Sequence, residues 1–404
     1  MTRMKRALDV VDVRSGVDAA PEDLLSVSIH LGVVPRSSMT DDLPRAEDLS
    51  GYKQVLHGDL VVNRMRAFQG AVGLAHIEGL VSPDYLVLRP RAGHDARFLH
   101  HLLRSSWFVG QMVARLRGIG STSQGNVRTP RINSEDLGEI AAPPLTYGEQ
   151  RAIADYLDAE TARIDALITK KRRMIDTIGE RFWSFVDHLL DFESNVPRFK
   201  LSWLASTRCD GPFGSSLTSS HYVDQGARVV RLGNLGRGQF KDADQAYISD
   251  EHYRTLQRHQ VREGDLLVAG LGDAKRPLAR ACVAPSLGAA IVKADCFRFR
   301  LNREADPQFV AWYLSSPSAV ATTALLAQGS TRQRVNLGIV SDMHVPLPSF
   351  DRQIDLTARI DDELNRSRAI GAALEKQVGL LGERRQALIT AAVTGELEIP
   401  RVAA

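Results

Sequence analysis

Cysteine is scarce in this chain. Cys209, Cys282 and Cys296 are the only three in 404 residues. An odd set without C-x-x-C spacing argues against a disulfide scaffold and against a zinc site, and makes a reducing cytoplasm the expected compartment. Long apolar runs are missing too. No stretch approaches the ~18 apolar residues of a membrane span, and the start, MTRMKRALDVVDVR, lacks the apolar core of a secretory signal. Charge of one sign is missing as well, since 51 Lys and Arg face 48 Asp and Glu, for a net +3.

Catalytic patterns are equally absent. A phosphate cradle G-x-x-x-x-G-K-[ST] does not occur. The tetrad [ND]-P-P-[YF] of adenine methylation is approached only by Asp210-Gly211-Pro212-Phe213, where a glycine stands in place of the first proline. That string reads as a turn. GNLGRG (233–238) has the wrong order for G-x-G-x-x-G. The histidines, His57, His76, His94, His100 and His101 among them, show no metal-ligand spacing. His100 and His101 read as surface or half-buried helix residues. Asp41-Asp42 and Asp361-Asp362 read as solvated faces. No catalytic constellation emerges, and the chain is expected to be no enzyme and to hold no metal.

What is present is an ordinary soluble composition, 44% hydrophobic and 25% charged, with length for two or more cored domains. Its charge is unevenly spread. Residues 198–346 hold 19 basic against 13 acidic side chains, whereas 146–197 and 347–404 hold 7 against 10 and 8 against 9. Within 1–145 the totals balance at 17 and 16, but 64–131 carries ten arginines and three acids. Such blocks can attract phosphates, although a solvated surface explains charge alone just as well.

The chain also repeats itself. Gly58-Asp59-Leu60-Val61 returns as Gly264-Asp265-Leu266-Leu267, and Gly120-Ser121-Thr122 as Gly329-Ser330-Thr331. Pro143-Pro144 is answered by Pro346-Leu347-Pro348, and Glu149-Gln150-Arg151 by Arg352-Gln353-Ile354. Four marks in one order imply a tandem duplication of roughly 200 residues, with small drifts where loops differ. Each copy opens with short apolar runs such as VLHGDLVV and AAIVKADCFRFRL, read as strands. Helical stretches around 96–117 and 307–327 follow, then a proline boundary and a long helix.

Thr146 and Glu149 form a capping box just after the proline pair. Ile153, Leu157, Ile164, Leu167, Met174, Ile178, Phe185 and Leu189 then recur at spacings near 4 and 3, the seam of a coiled coil. Some 44 residues would span about 65 Å. A second helix, from about Phe350 to Thr394, repeats the pattern with Leu356, Ile360, Leu364, Ile370, Leu374, Leu381 and Leu388. Gly371, Gly379 and Gly382 would each cost it up to ~1 kcal/mol, which implies packing support from outside. The economical arrangement pairs the two helices antiparallel, with the two globular domains at opposite ends. The fold class expected is α+β: two globular α/β domains, 1–145 and 198–346, separated by long helices in 146–197 and 347–404.

Several segments together resemble a known family. LLSVSIHLGVVPR (24–36) and residues 55–90 are similar to the target-recognition domain of type I restriction-modification specificity subunits. DGPFGSSL (210–217) and RVVRLGNL resemble the opening of a second such domain. PPLTYGEQRAIADYLD (143–158) resembles the family's central conserved region, and ERRQALITAAVTGEL (383–397) its carboxy-terminal one. The first half lacks a counterpart of DGPFGS, so the two domains differ. The resemblance implies a non-catalytic subunit that reads a bipartite, asymmetric site on double-stranded DNA. It implies two methyltransferase subunits as partners, with two restriction subunits when present, and no membrane. S-adenosylmethionine, ATP and magnesium would belong to those partners, with no cofactor in this chain.

Base edges and phosphates are contacted by Arg, Lys, Asn, Gln, Ser and Thr. Two repeated loops carry those types: Ser121, Thr122, Gln124, Asn126 and Arg128 in the first copy, and Ser330, Thr331, Arg332, Gln333 and Arg334 in the second. Arg64 and Arg66, with Lys275 and Arg276 at the corresponding place, are the next candidates. Gly214 and Ser215 could bring backbone close to a phosphate. A helix-ending or structural turn is the plainer reading of each loop. Two other functions compete, a fragment of a fused methyltransferase-specificity protein and a protein-binding coiled-coil scaffold or inactive copy.

Overall fold

The computed structural model describes residues 2–15, 23–29, 32–40, 49–116, 131–192, 196–273, 275–327 and 333–399. They form two compact units. One comprises Met1–Arg172 with Glu375–Ala404, the other Arg173–Leu374. Both long helices therefore contribute residues to both units.

The first unit is built on a four-stranded antiparallel sheet in the order Leu8–Val11, Tyr85–Pro90, Leu60–Asn63, Val72–Leu74. Its central strand shows why the run LVV reads as continuously apolar. Successive side chains of a strand face opposite ways. Leu60 and Val62 enter the core shared with the helices, and Val61 enters a second core under Leu25, Val27 and Val55. A strand covered on both faces has no polar side to display.

The second unit repeats this sheet strand for strand: Ala205–Cys209, Cys296–Leu301, Leu266–Ala269, Ala281–Val283. Leu266 and Val268 face the helices, while Leu267 and Ala269 face a separate core with Val230, Ala290 and Val292. That second core lies under an added sheet in which Ala227–Val230 runs parallel to Ala290–Val292. The duplicated sheet is common to both units and the layer over it is not.

The helical stretches expected at 96–117 and 307–327 are each two helices. Ala96–Arg104 and Ser106–Val113 break at Ser105, and Pro307–Ser315 and Pro317–Ala324 break at Ser316. Each break residue is extended (ψ 148° and 150°) and its hydroxyl caps the next helix, accepting from Phe108 N–H and Ala319 N–H respectively. In the second copy Pro317 also holds the residue before it out of the helical region. Asp95 and Asp306 cap the preceding helices, and Asn133 and Asn336 the short helices Ser134–Gly138 and Leu337–Ser341. Each such cap contributes about 1 kcal/mol.

The long helices are Tyr147–Leu189 and Phe350–Thr394. The expected capping box is formed: Thr146 Oγ1 accepts from Glu149 N–H (3.3 Å) and Glu149 Oε2 from Thr146 N–H (2.9 Å). Within the first unit the helix segments run antiparallel, since Asp165 pairs with Arg385 and Lys171 reaches Gln377. Ile153 and Leu157 share a core there with Ile389, Ala392 and Val393, and Ile164 is buried further along the helix. Within the second unit Phe182, Val186 and Leu190 share a core with Leu356 and Ile360.

Parts of the expected seam are placed otherwise. Leu167 is 48% exposed and turns away from the packing face. Leu388 is only partly buried, and the neighbouring Ile389 takes the core position. Ile178, Leu364 and Leu381 are half-buried, and Leu374 is buried. A strict heptad places residues by sequence spacing alone, whereas in each unit the helix segments pack on a globular domain as well as on each other. Nor do Gly371, Gly379 and Gly382 mark close packing, because a Cβ on any of them would meet nothing within 4 Å.

Candidate nucleic-acid interface

The repeated Gly-Asp mark proves to be architectural. Asp59 and Asp265 are 1% and 2% exposed, and each binds an arginine of the adjacent strand through both oxygens. Arg89 Nε and Nη2 donate to Asp59 at 2.8 and 2.9 Å, and Arg300 Nε and Nη2 to Asp265 at 2.8 and 2.8 Å. The carboxylate hydrogen bonds raise the pKa of both guanidinium groups. Each carboxylate also accepts a loop N–H, from Leu56 and Arg262. Gly58 and Gly264 precede them at φ +91° and +81°, a conformation that only glycine adopts at little cost. The mark Gly-Asp thus fixes a tight turn to the neighbouring strand.

The sequence candidates cluster unequally. Ser121, Thr122, Gln124, Asn126, Arg128, Ser330, Thr331 and Arg332 lie outside the described residues. In the first unit Arg64 is half-buried and its Nε donates to Ile132 O (3.0 Å), while Ile132 N–H donates to Arg64 O (3.2 Å). Arg66 is exposed on the same loop.

In the second unit the remaining candidates converge. Gln333–Arg334 pairs antiparallel with Leu271–Gly272, at the start of the loop that carries exposed Lys275 and Arg276. Arg276 is held by Asp273 (2.9 Å) and Arg334 by Asp295 (2.8 Å). Asp295 in turn donates its N–H to Asp210 Oδ1 (3.0 Å), in the loop that leads to exposed Gly214 and Ser215. Gly211 has room for nothing larger, since a Cβ there would fall 2.0 Å from the Lys293 carbonyl carbon. Gly214, Ser215, Lys275, Arg276, Gln333 and Arg334 therefore sit on loops tied together through Asp295.

Burial pushes the Asp210 carboxyl up to about 6, against the two backbone N–H donors of Gly211 and Asp295. Burial also raises the thiols, that of Cys282 to about 12, and Cys282 and Cys296 are core residues while Cys209 is half-buried. His101 is buried rather than at the surface or half-buried, with Nε2 2.8 Å from Asp158, while His100 is half-buried as expected and its Nδ1 accepts from Leu74 N–H. Among the described residues no three His, Cys, Asp or Glu side chains are grouped to hold a metal. No described helix is long and apolar enough to cross a membrane.

Sequence reasoning passed over Asp295. Asp295 carries a signal only in the backbone, φ +64°.

The fold defines a tandem α+β protein, in which each of two units carries one copy of a related four-stranded sheet together with segments of two long helices. No family model matches the chain. It is similar to the EcoKI type I restriction enzyme specificity subunit of Escherichia coli strain K12, 24% identical over 326 residues, 77% of this chain and 68% of that protein. The EcoBI specificity subunit of Escherichia coli is 21% identical over 332 residues, 75% of this chain and 66% of that one. A solved chain from work on complex assembly and conformational transition of the type I restriction-modification system has the same fold, with TM-score 0.69, 16% identity, and 98% and 97% of the two chains covered. In sequence the chain is similar to type I specificity subunits, and in fold to a solved chain of a type I system.

Proposed function

We propose that this chain is the DNA specificity subunit of a type I restriction-modification complex. The observation that carries the reading is the duplicated sheet with a different layer and different loops on each copy, in a chain similar to specificity subunits along three quarters of its length. Two readers of unlike chemistry recognise two unlike half-sites, so the target is split and asymmetric. The readers are 1–145 and 198–346, and the helices in 146–197 and 347–404 set the spacer.

Recognition here needs no bond-making group. Loop side chains contact base edges, arginines and lysines neutralise phosphates, and each phosphate contact steepens the salt dependence. Arg276 and Arg334 are pre-positioned by Asp273 and Asp295, which costs part of their charge in the free protein but fixes their geometry. The subunit works in the cytoplasm with two methyltransferase subunits, which bind S-adenosylmethionine, and with two restriction subunits, which use ATP and magnesium.

Mapping N6-methyladenine in a host that carries the chain with its methyltransferase tests this. One split, asymmetric motif that vanishes on deletion of the chain is expected. A motif that survives the deletion overturns the reading.

A further inference from the structure

The first helix of each helix pair ends at an equivalent residue, Arg104 in the first unit and Ser315 in the second, just before the breaks at Ser105 and Ser316. A carbonyl at a helix end has no N–H of its own helix to meet. In the first unit the Arg104 carbonyl accepts from Nε2 of Gln386, on the second long helix, at 2.8 Å. Trp183 stands 203 residues before Gln386, the interval that also separates Gln150 from Gln353, so it holds the same place on the first long helix. There the Ser315 carbonyl takes its donors from a different source. Arg237 Nε and Nη2 both donate to it, at 3.0 and 2.6 Å. The same guanidinium lies 3.3 Å over the Trp183 ring.

Arg237 belongs to the reader rather than to the helices. It sits at the tip of the loop that leaves strand Ala227–Val230 of the added sheet. The loop is closed on itself, with Gly236 N–H donating to Gln239 O (3.1 Å) and Asn234 Nδ2 to the carbonyls of Lys241 and Asp244 (2.8 Å each). Gly238 lies against Trp312, where a Cβ would fall 2.0 Å from the ring, and its carbonyl accepts from Gln308 Nε2 at 2.7 Å. Gln239 Oε1 accepts from Arg368 of the second long helix. Within the second unit a closed loop tip therefore ties the added layer to both long helices.

The first unit makes the same joint from the other side. Its arginine is on the helix: Arg104 Nη2 donates to Ile29 O at 2.6 Å, in the turn after strand Leu25–Ser28 of the layer over the first sheet. An arginine thus joins layer to frame at one equivalent helix end in both units, supplied by the frame in the first and by the layer in the second. Apolar contact between a layer and its sheet is non-directional. A guanidinium fork on a carbonyl, stacked on a ring, fixes an angle as well as a distance.

We propose that Arg237 and Arg104 are positioning residues that fix the angle of each reader layer to its helices, and so hold the DNA target to a single spacer length. This role rests on the specificity-subunit reading. Its test is the N6-methyladenine map of a host that carries the whole chain with its methyltransferase, read as a ratio: methylation at sites whose spacer is one base pair off, over methylation at wild-type sites.

Arg237→Ala should raise that ratio about tenfold, which corresponds to about 1.4 kcal/mol of lost restraint, with the bases of both half-sites unchanged. Arg104→Ala should act in the same direction from the first unit. Arg237→Lys keeps a charge over the ring but gives up the fork, and should raise the ratio about threefold; it carries the test if Arg237→Ala does not fold. A purely structural loss lowers methylation at every spacer alike, as the control Asp265→Asn should, because that carboxylate joins strands within the sheet. Wild-type ratios in the Arg237 variants that fold, or an equal rise in Asp265→Asn, overturn the positioning role and leave the specificity function standing. A changed half-site in Arg237→Ala overturns it too, since the residue would then act at the DNA. A wild-type chain that directs no methylation motif removes the function and this role with it.

Discussion

Gln150 and Gln353 make the same pair of bonds 203 residues apart. Each Oε1 accepts the backbone N–H of the aspartate that caps a helix in the reader, Asp95 at 3.0 Å and Asp306 at 2.8 Å. Each Nε2 donates to a carbonyl just before its own helix, Leu145 at 3.0 Å and Pro348 at 3.0 Å. The glutamine thereby fastens the first turn of a long helix to the domain beside it.

Gln150→Ala or Gln353→Ala should therefore strand a buried N–H and a carbonyl. Both glutamines are nearly inaccessible, 3% and 0% exposed, so water cannot replace the bonds. A loss of about 1–3 kcal/mol in urea unfolding is expected for either change. A loss below ~0.5 kcal/mol would show that packing alone seats the helix.

Asp59→Asn and Asp265→Asn should both destabilise, because each leaves one fork of an arginine unmatched. With Arg89 and Arg300 partly exposed, a cost of about 2 kcal/mol is expected rather than the full cost of a buried orphan charge. Near-equal effects in the two copies, measured by the same unfolding experiment, are what the shared geometry demands.

Gly379→Ala should stabilise the C-terminal helix by up to ~1 kcal/mol, since the added methyl meets nothing within 4 Å. Calorimetry would register a higher melting temperature. A decrease would mean that the position serves a bound partner or a bend.

Asp210 gives a pH signature. Its folded pKa of about 6 lies above the ordinary 3.8 of the unfolded chain. Protonation is thus favoured by folding, and the associated stability is complete below pH ~4 and lost as pH rises through about 6. In Asp210→Asn, whose Oδ1 can still accept from Gly211 and Asp295, stability should lose that dependence between pH 4 and 6. An unchanged pH profile would place the carboxyl in water.

Much of this was readable beforehand. The Gly-Asp and Glu-Gln marks gave the duplication because each fixes local geometry that a fold cannot alter without loss. Capping at Thr146 and the long helices followed from patterns with one physical solution. The breaks at Ser105 and Ser316 were harder, since a serine interrupts a helix only when its hydroxyl finds the next N–H. Leu167 was misplaced because heptad spacing describes two helices that touch only each other. The Asp59–Arg89 and Asp265–Arg300 pairs were invisible for another reason: contacts across a sheet join residues whose separation in sequence carries no period.

The first unit closes over Ile389, Ala392 and Val393, residues from the far end of the chain. A ribosome that has released residues 1–172 has therefore not yet supplied the whole core of the domain it began. The second unit is continuous in sequence and has no such wait. Synthesis should deliver a finished second reader before the first, and a nascent chain halted near residue 374 should display an unsealed apolar face around Phe108 and Leu157 that chaperones would recognise.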